Sequence, residues 1–110
     1  MPIWITQGSF TSDTLKSFVA KPEDRRAAIA DLMAASGARL IDYYVTFGEY
    51  DFLIIAEGEK PVDVLAALLT AGASGTVSSL RTTMAVSTAE AKQAMEKAQT
   101  VAKSFRPAGG

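Results

Sequence analysis

The alternation of apolar and polar residues expected of a strand is missing at five consecutive apolar positions, Phe52 to Ala56. A strand with one face in water alternates apolar and polar side chains, whereas a strand covered on both faces does not. A chain of 110 residues has little material with which to cover both faces of a sheet. The pattern therefore predicts that something besides the chain's own helices covers one face.

The remaining pattern alternates strand and helix signals. A short helical turn is predicted after the first strand, capped within Thr11-Ser12-Asp13. Two longer segments have apolar residues at helical spacing and begin with proline: Pro22 to Ser36 and Pro61 to Gly72. Four segments combine β-favouring residues with flanking turn residues, which is typical of strands: residues 2–10, 39–47, 51–57 and 77–86.

This order, β-α-β-β-α-β, predicts a ferredoxin-like plait, an α+β fold. Right-handed crossovers place both long helices on one face of a four-stranded antiparallel sheet, and they make the first and third strands central. The other face carries no helix. A second copy packed sheet against sheet is the simplest cover for it, so we expect a homodimer or a higher oligomer formed through this face.

The pattern divides the chain into residues 1–87 as the plait, residues 88–105 as a C-terminal amphipathic helix and residues 106–110 as a flexible tail. Apolar residues recur along the last helix at helical spacing, from Ala91 to Phe105. We expect this stripe to pack either on the plait or on a partner chain.

Composition excludes several kinds of chemistry. The chain has no cysteine and no histidine, so disulfides, thiolate chemistry and a Ser-His-Asp triad are absent, and we expect no metal and no cofactor. The net charge of −1 gives no electrostatic footprint for nucleic acid or an anionic membrane. No secretory signal or membrane-spanning run is visible, and we expect a cytoplasmic protein.

The segment Gly48-Glu49-Tyr50-Asp51, just before the apolar run, resembles the Gly-x-Tyr-Asp signature of the GYD-domain family. The similarity extends over roughly residues 2–87. It implies the dimeric α/β-barrel superfamily, whose members pair two ferredoxin-like sheets around a cavity. That superfamily includes cofactor-free oxygenases, haem-dependent enzymes and small-ligand-binding or oligomerising modules. The missing histidine argues against the histidine-ligated haem members.

The motif itself supplies the first candidate site residues. Gly48 is interpreted as a structural turn residue that can take a positive φ. Asp51 either accepts backbone N–H bonds in the turn or serves as a cavity carboxylate. Tyr50 is either a wall residue or a hydroxyl donor. Tyr43 and Tyr44 point to opposite faces of their strand, and we favour Tyr44 for the face shared with a partner.

Two further candidates lie on other strands. Trp4, on a central strand, is a candidate interface anchor or a stacking surface for a ligand. Arg81 lies on the more polar face of the last strand, where it needs a carboxylate from Asp42, Asp51 or another chain if that face is covered. Its alternative role is an anion clamp. The ligand-binding candidates are thus Trp4, Tyr44, Tyr50, Asp51 and Arg81.

Three functions remain open from the sequence. The favoured one is a homo-oligomeric module that binds a small organic ligand in an inter-sheet cavity or serves for oligomerisation. The second is a cofactor-free oxygenase or isomerase that uses Asp51 as base with Tyr44 or Tyr50 as hydrogen-bond donor. The third is a purely structural subunit.

Overall fold

Four antiparallel strands form one sheet in the computed structural model, which describes residues 2–109. The order across the sheet is β2-β3-β1-β4, with β1 and β3 central. This arrangement confirms the predicted α+β plait. The strands are β1 (Ile3–Phe10), β2 (Arg39–Val45), β3 (Phe52–Glu57) and β4 (Val77–Ala85).

The helices are α1 (Ser12–Ala20), α2 (Arg26–Ser36), α3 (Pro61–Ala73) and α4 (Thr88–Ala102). α1 is longer than the predicted single turn, and the Thr11 side chain caps it by accepting a hydrogen bond from the Thr14 backbone N–H. α2 begins at Arg26, later than the predicted start at Pro22, because the Asp24 carboxylate accepts the Arg26 N–H at 2.9 Å and sets the first turn there.

The alternating geometry of β3 sends its apolar residues to both faces of the sheet. Phe52, Ile54 and Ala56 are buried against α2 and α3, where Met33 and Ala67 complete the core. Leu53 and Ile55 point to the opposite face. The five apolar residues in succession therefore serve two separate surfaces, and only one of them is covered by the helices of this chain.

A bulge shapes the pairing between β1 and β4. The register shifts between Gln7 and Ser9, and Ser79 takes a positive φ of 54° at this point. The extra residue in β4 lets Leu80 lie over Gly8 on the helical side while Arg81 pairs with Gln7 on the other side. The alternation predicted for β4 is present, but the bulge was not foreseen.

The loop between β2 and β3 differs from the prediction at its glycine. Gly48 lies in an exposed bend and is not among the residues with positive φ. A β-carbon at Gly48 would meet no atom within 4 Å. The expectation that Gly48 supplies a positive φ for the reversal is therefore wrong, because a longer loop turns the chain without one.

The last helix extends away from the plait. Ser87 caps α4 by accepting a hydrogen bond from the Glu90 backbone N–H. Every α4 residue except Ala91 is exposed, and the chain reaches 61 Å along its longest axis. The apolar stripe of α4 thus has no cover among residues 2–109.

Gly8 is the glycine that the core requires, because a β-carbon there would lie 2.7 Å from Phe52 Cζ and 2.9 Å from Leu80 Cδ2. We expect Gly8→Ala to lower the free energy of unfolding by about 1–3 kcal/mol through overpacking. Chemical denaturation followed by circular dichroism measures this change.

Gly48→Ala is the matched control, since the same added methyl group meets open space. It should change the free energy of unfolding by less than about 0.5 kcal/mol. Equal losses in the two variants would contradict the assignment of Gly8 as the glycine fixed by packing.

Candidate functional site

The helix-free face of the sheet has an apolar centre. Ile3 and Ile5 of β1 lie beside Leu53 and Ile55 of β3, and all four are only partly buried. No helix among residues 2–109 packs over them, since α1, α2 and α3 lie on the Phe52 side and α4 is exposed. An apolar area in the middle of a sheet that no helix covers is typical of a contact surface.

Charged groups border this centre along β2. Arg39 and Glu57 form an ion pair across β2 and β3, with Nη2 and Oε1 2.6 Å apart. The Tyr44 hydroxyl donates to Asp42 Oδ2 at 2.6 Å, and Arg26 Nη1 donates to Asp42 Oδ1 at 2.8 Å. Tyr44 lies on the helix-free face, opposite Leu53 in the register.

These contacts set the ionisation of both partners. The hydrogen bond from Tyr44, followed by those from Arg26 and the Tyr43 backbone, lowers the pKa of Asp42 below its ordinary range. The same bond raises the pKa of Tyr44 above its usual value. At neutral pH the carboxylate is therefore charged and the tyrosine hydroxyl is a protonated donor.

Arg81 lies on the helix-free face at the opposite edge, on β4. It pairs with Gln7 in the register and is exposed. No carboxylate within residues 2–109 forms a salt bridge with it, because Asp42 is paired with Arg26 and Asp51 accepts from a backbone N–H. The guanidinium is therefore free to meet a group outside this chain.

Trp4 lies on the other face of β1, where it is opposite Ala56 and Met84. Its indole N–H donates to the Gly58 carbonyl oxygen at 3.0 Å. The structure thus places Trp4 apart from Tyr44 and Arg81, on the side of the sheet that the helices occupy.

Asp51 fastens the β2–β3 loop to the first strand. Its Oδ2 accepts the Phe10 N–H at 2.9 Å, and its own N–H donates to the Gly8 carbonyl oxygen at 2.8 Å. The Tyr50 carbonyl oxygen accepts from the Thr46 hydroxyl at 2.7 Å. Asp51 lines a cleft beside Phe10, and neither Tyr44 nor Tyr50 is part of that lining.

A cavity of about 650 Å³ lies on the helical side of the sheet. Its floor includes Phe52 and Tyr43, and α1, α2 and α3 all contribute to its walls. The sequence did not indicate this cavity. The sequence feature that could have indicated the cavity is the small residues on the inner helix faces. Ala28 and Ala71 line the cavity, and larger side chains at these positions would fill a core.

Residues 2–109 contain no cluster of three or more acidic side chains that would hold a metal ion. Within the same range, no helix has both the length and the apolar character needed to cross a membrane.

The Asp42 contacts predict a pH dependence of stability. A carboxyl whose pKa is lowered on folding stabilises the folded chain above about pH 4, and that stabilisation is lost as the pH falls through the folded pKa. We expect the stability difference between the wild type and Asp42→Asn to shrink from about pH 5 towards about pH 2, as measured by thermal denaturation. Asp31→Asn, an exposed change on α2, is the control. Its stability difference from the wild type should not shrink over this pH range.

The comparisons with known proteins include one relative and two solved structures. The glutamine synthetase and cystathionine beta-lyase binding protein of Thermus thermophilus is 29% identical over 80 residues, which are 73% of this chain and 84% of that protein. The crystal structure of hypothetical protein PHS023 from Pyrococcus horikoshii covers 79% of this chain and 92% of its own, with 17% identity and a TM-score of 0.46. That of TTHA0845 from Thermus thermophilus covers 79% and 95%, with 19% identity and a TM-score of 0.44.

A family model also matches most of the chain. The model described as GYD domain covers residues 4–95, which include all but the first residue of the four strands and the whole Gly-Glu-Tyr-Asp segment. The chain belongs to the GYD domain family.

Proposed function

We propose that this chain is a binding module that works as a homo-oligomer held together by its helix-free sheet face. The main observation in support is the apolar centre of that face, which no helix among residues 2–109 covers. It is formed by Ile3, Ile5, Leu53 and Ile55. Burial of such side chains is the main favourable term in protein association. The charged border supports the proposal, since an apolar centre with a polar rim is the usual anatomy of an interface.

An isologous pairing also gives the free cation a role. In a two-fold contact each face meets a copy of itself, so the β4 edge of one copy approaches charged groups of the other. Arg81 has no salt bridge within residues 2–109. We propose that it pairs with a carboxylate of the second copy.

The size of the face suggests that the last helix takes part as well. Strands about 4.8 Å apart with about 3.3 Å per residue give a face on the order of 500 Å². A stable interface buries about 800 Å² per partner. α4 offers a further apolar surface that includes Met95, 67% exposed, and Val101, 55% exposed. We propose that α4 packs on the second copy and contributes the missing area.

Existing contacts and the relative both favour binding over the cofactor-free enzyme. Asp51 is bonded to the Phe10 N–H, while Tyr44 is bonded to Asp42, so the hypothetical base and donor serve separate local structures. The relative from Thermus thermophilus is named as a binding protein. These observations support a module that acts by contact.

A charge in the apolar centre should separate the copies. Leu53→Glu places two carboxylates near each other in a symmetric pairing, where like charges and desolvation both oppose contact. We expect the dimer dissociation constant to rise at least tenfold, which is about 1.4 kcal/mol. Sedimentation equilibrium at micromolar concentration measures it.

Leu65→Glu is the matched control, because Leu65 is 53% exposed on α3, away from the sheet face. It should leave the dissociation constant unchanged. For α4, Met95→Glu should weaken the assembly, whereas Gln93→Glu on the opposite side of the same helix should not. A wild-type chain that sediments as a folded monomer at micromolar concentration would refute the homo-oligomer.

A second candidate function is the binding of other proteins, favoured by the printed name of the relative. We propose that the assembled module binds glutamine synthetase or cystathionine β-lyase of its own organism. Biolayer interferometry with each purified enzyme should give a micromolar or tighter dissociation constant for the wild-type chain, with an unrelated protein of similar charge as control. No binding to either enzyme would remove this second candidate and leave self-association untouched.

A further inference from the structure

Small residues from two helices face the cavity on the helical side. Ala28 of α2 and Ala67 and Ala71 of α3 line the space, and Ala67 is fully buried. Protein interiors are otherwise close-packed, with few voids larger than a water molecule. A volume of about 650 Å³ lies well within the range of pockets that hold small organic ligands.

The lining includes a cluster of four aromatic residues. Phe10 lies edge-on to Phe18, with ring centroids 5.0 Å apart, and it is tilted against Phe52 at 5.2 Å. Tyr43 continues the cluster, with its centroid 6.3 Å from that of Phe52. All four residues line the cavity. Aromatic rings prefer edge-to-face or offset contacts with one another, so such a lining favours a planar aromatic guest.

Some polar groups of the cavity already have hydrogen-bond partners among the residues that the structure describes, whereas the Tyr43 hydroxyl has none. Thr6 is hydrogen-bonded to Thr82 at 2.9 Å, and the Thr14 hydroxyl donates to the Thr76 carbonyl oxygen at 2.8 Å. The Tyr43 hydroxyl makes no hydrogen bond within residues 2–109. Because no buried side-chain polar atom in that range lacks a partner, this hydroxyl is open to a group outside the chain. Burial raises the pKa of Tyr43 above its usual value, so this hydroxyl remains a donor at neutral pH.

The charges of the lining do not favour an anion. Its ionisable groups besides Tyr43 are Asp13, Glu23 and Arg25, so the acidic side chains outnumber the basic one. Arg25 is already paired with Glu23, with Nη1 and Oε1 3.2 Å apart. An incoming carboxylate or sulfonate would have to compete for that guanidinium and would face a second acidic group.

We propose that this cavity binds an uncharged, planar aromatic molecule whose carbonyl oxygen accepts a hydrogen bond from the Tyr43 hydroxyl. The site lies within one chain and on the opposite side of the sheet from the assembly face. It is therefore independent of the proposed oligomer.

Fluorescence titration of the whole chain with two related probes tests whether the cavity prefers an uncharged ligand. N-phenyl-1-naphthylamine is uncharged, and 1-anilinonaphthalene-8-sulfonate differs from it by one sulfonate group. We expect the uncharged probe to bind with a dissociation constant at least tenfold lower than that of the anionic probe. Equal affinities, or no binding of the uncharged probe, would overturn the proposal.

Substitutions that fill the cavity, each compared with a control outside the lining, test where the probe binds. Ala71→Leu should weaken binding of the uncharged probe at least tenfold, while Ala66→Leu, an exposed position on the same helix outside the lining, should leave it unchanged. Ala28→Leu with the adjacent exposed control Ala27→Leu repeats the comparison on α2, should Ala71→Leu fail to fold. Unchanged binding in a folded cavity variant would place the probe elsewhere and refute the site.

The Tyr43 hydroxyl is tested with a ketone probe, 6-propionyl-2-dimethylaminonaphthalene. Tyr43→Phe should weaken its binding about three- to tenfold, since it removes one hydrogen bond, and should not affect N-phenyl-1-naphthylamine. Equal effects on both probes, or none on the ketone, would refute the role of the hydroxyl. Leu53→Glu should leave binding of both probes unchanged, and a loss there would assign them to the sheet face instead.

Discussion

The close approach of the Phe52 ring to Gly8 is the constraint on which the rest of the structure depends. The ring occupies the space of the side chain that Gly8 lacks, and Phe52 is 2% exposed. This contact joins the two central strands on the side of the sheet that faces the helices. It also explains the neighbouring bulge, because Leu80 has to lie over the same glycine. Two residues after Gly8, the Phe10 backbone N–H donates to the Asp51 side chain and so anchors the β2–β3 loop to β1.

The central strands divide the molecule into two surfaces with different physical characters. The helix-free face has an apolar centre with a charged border. The helical side contains a cavity whose lining includes alanines of α2 and α3 and four aromatic residues. Residues on one surface alternate along β3 with residues on the other, so a substitution at one position need not disturb the neighbouring function.

The plait could be predicted from the sequence because its signals are local: strand-forming segments, prolines at helix starts and the uninterrupted run at Phe52. The orientation of Tyr44 and Arg81 towards the helix-free face followed from alternation along each strand. Other features depend on contacts between distant residues. The bulge at Ser79 arises from Gly8, about 70 positions earlier. The start of α2 is a local exception, because the Arg26 N–H donates to the side chain of Asp24, two positions before it. The cavity could not be predicted because an alanine on a helix is equally compatible with a tight contact and with a void.

The exposure of α4 has a consequence for its backbone. An isolated helix of 15 residues is marginal in water, because packing of an apolar face normally supplies most of its stability. Its own reinforcements are small: one capping bond to Ser87 and one Lys92–Glu96 pair at 3.7 Å, with the lysine preceding the glutamate in the weaker order. The amide protons of α4 therefore exchange quickly with solvent whenever its stripe is bare and slowly once it is covered. Under the proposed packing of α4 on a second copy, hydrogen exchange in this one helix would report assembly.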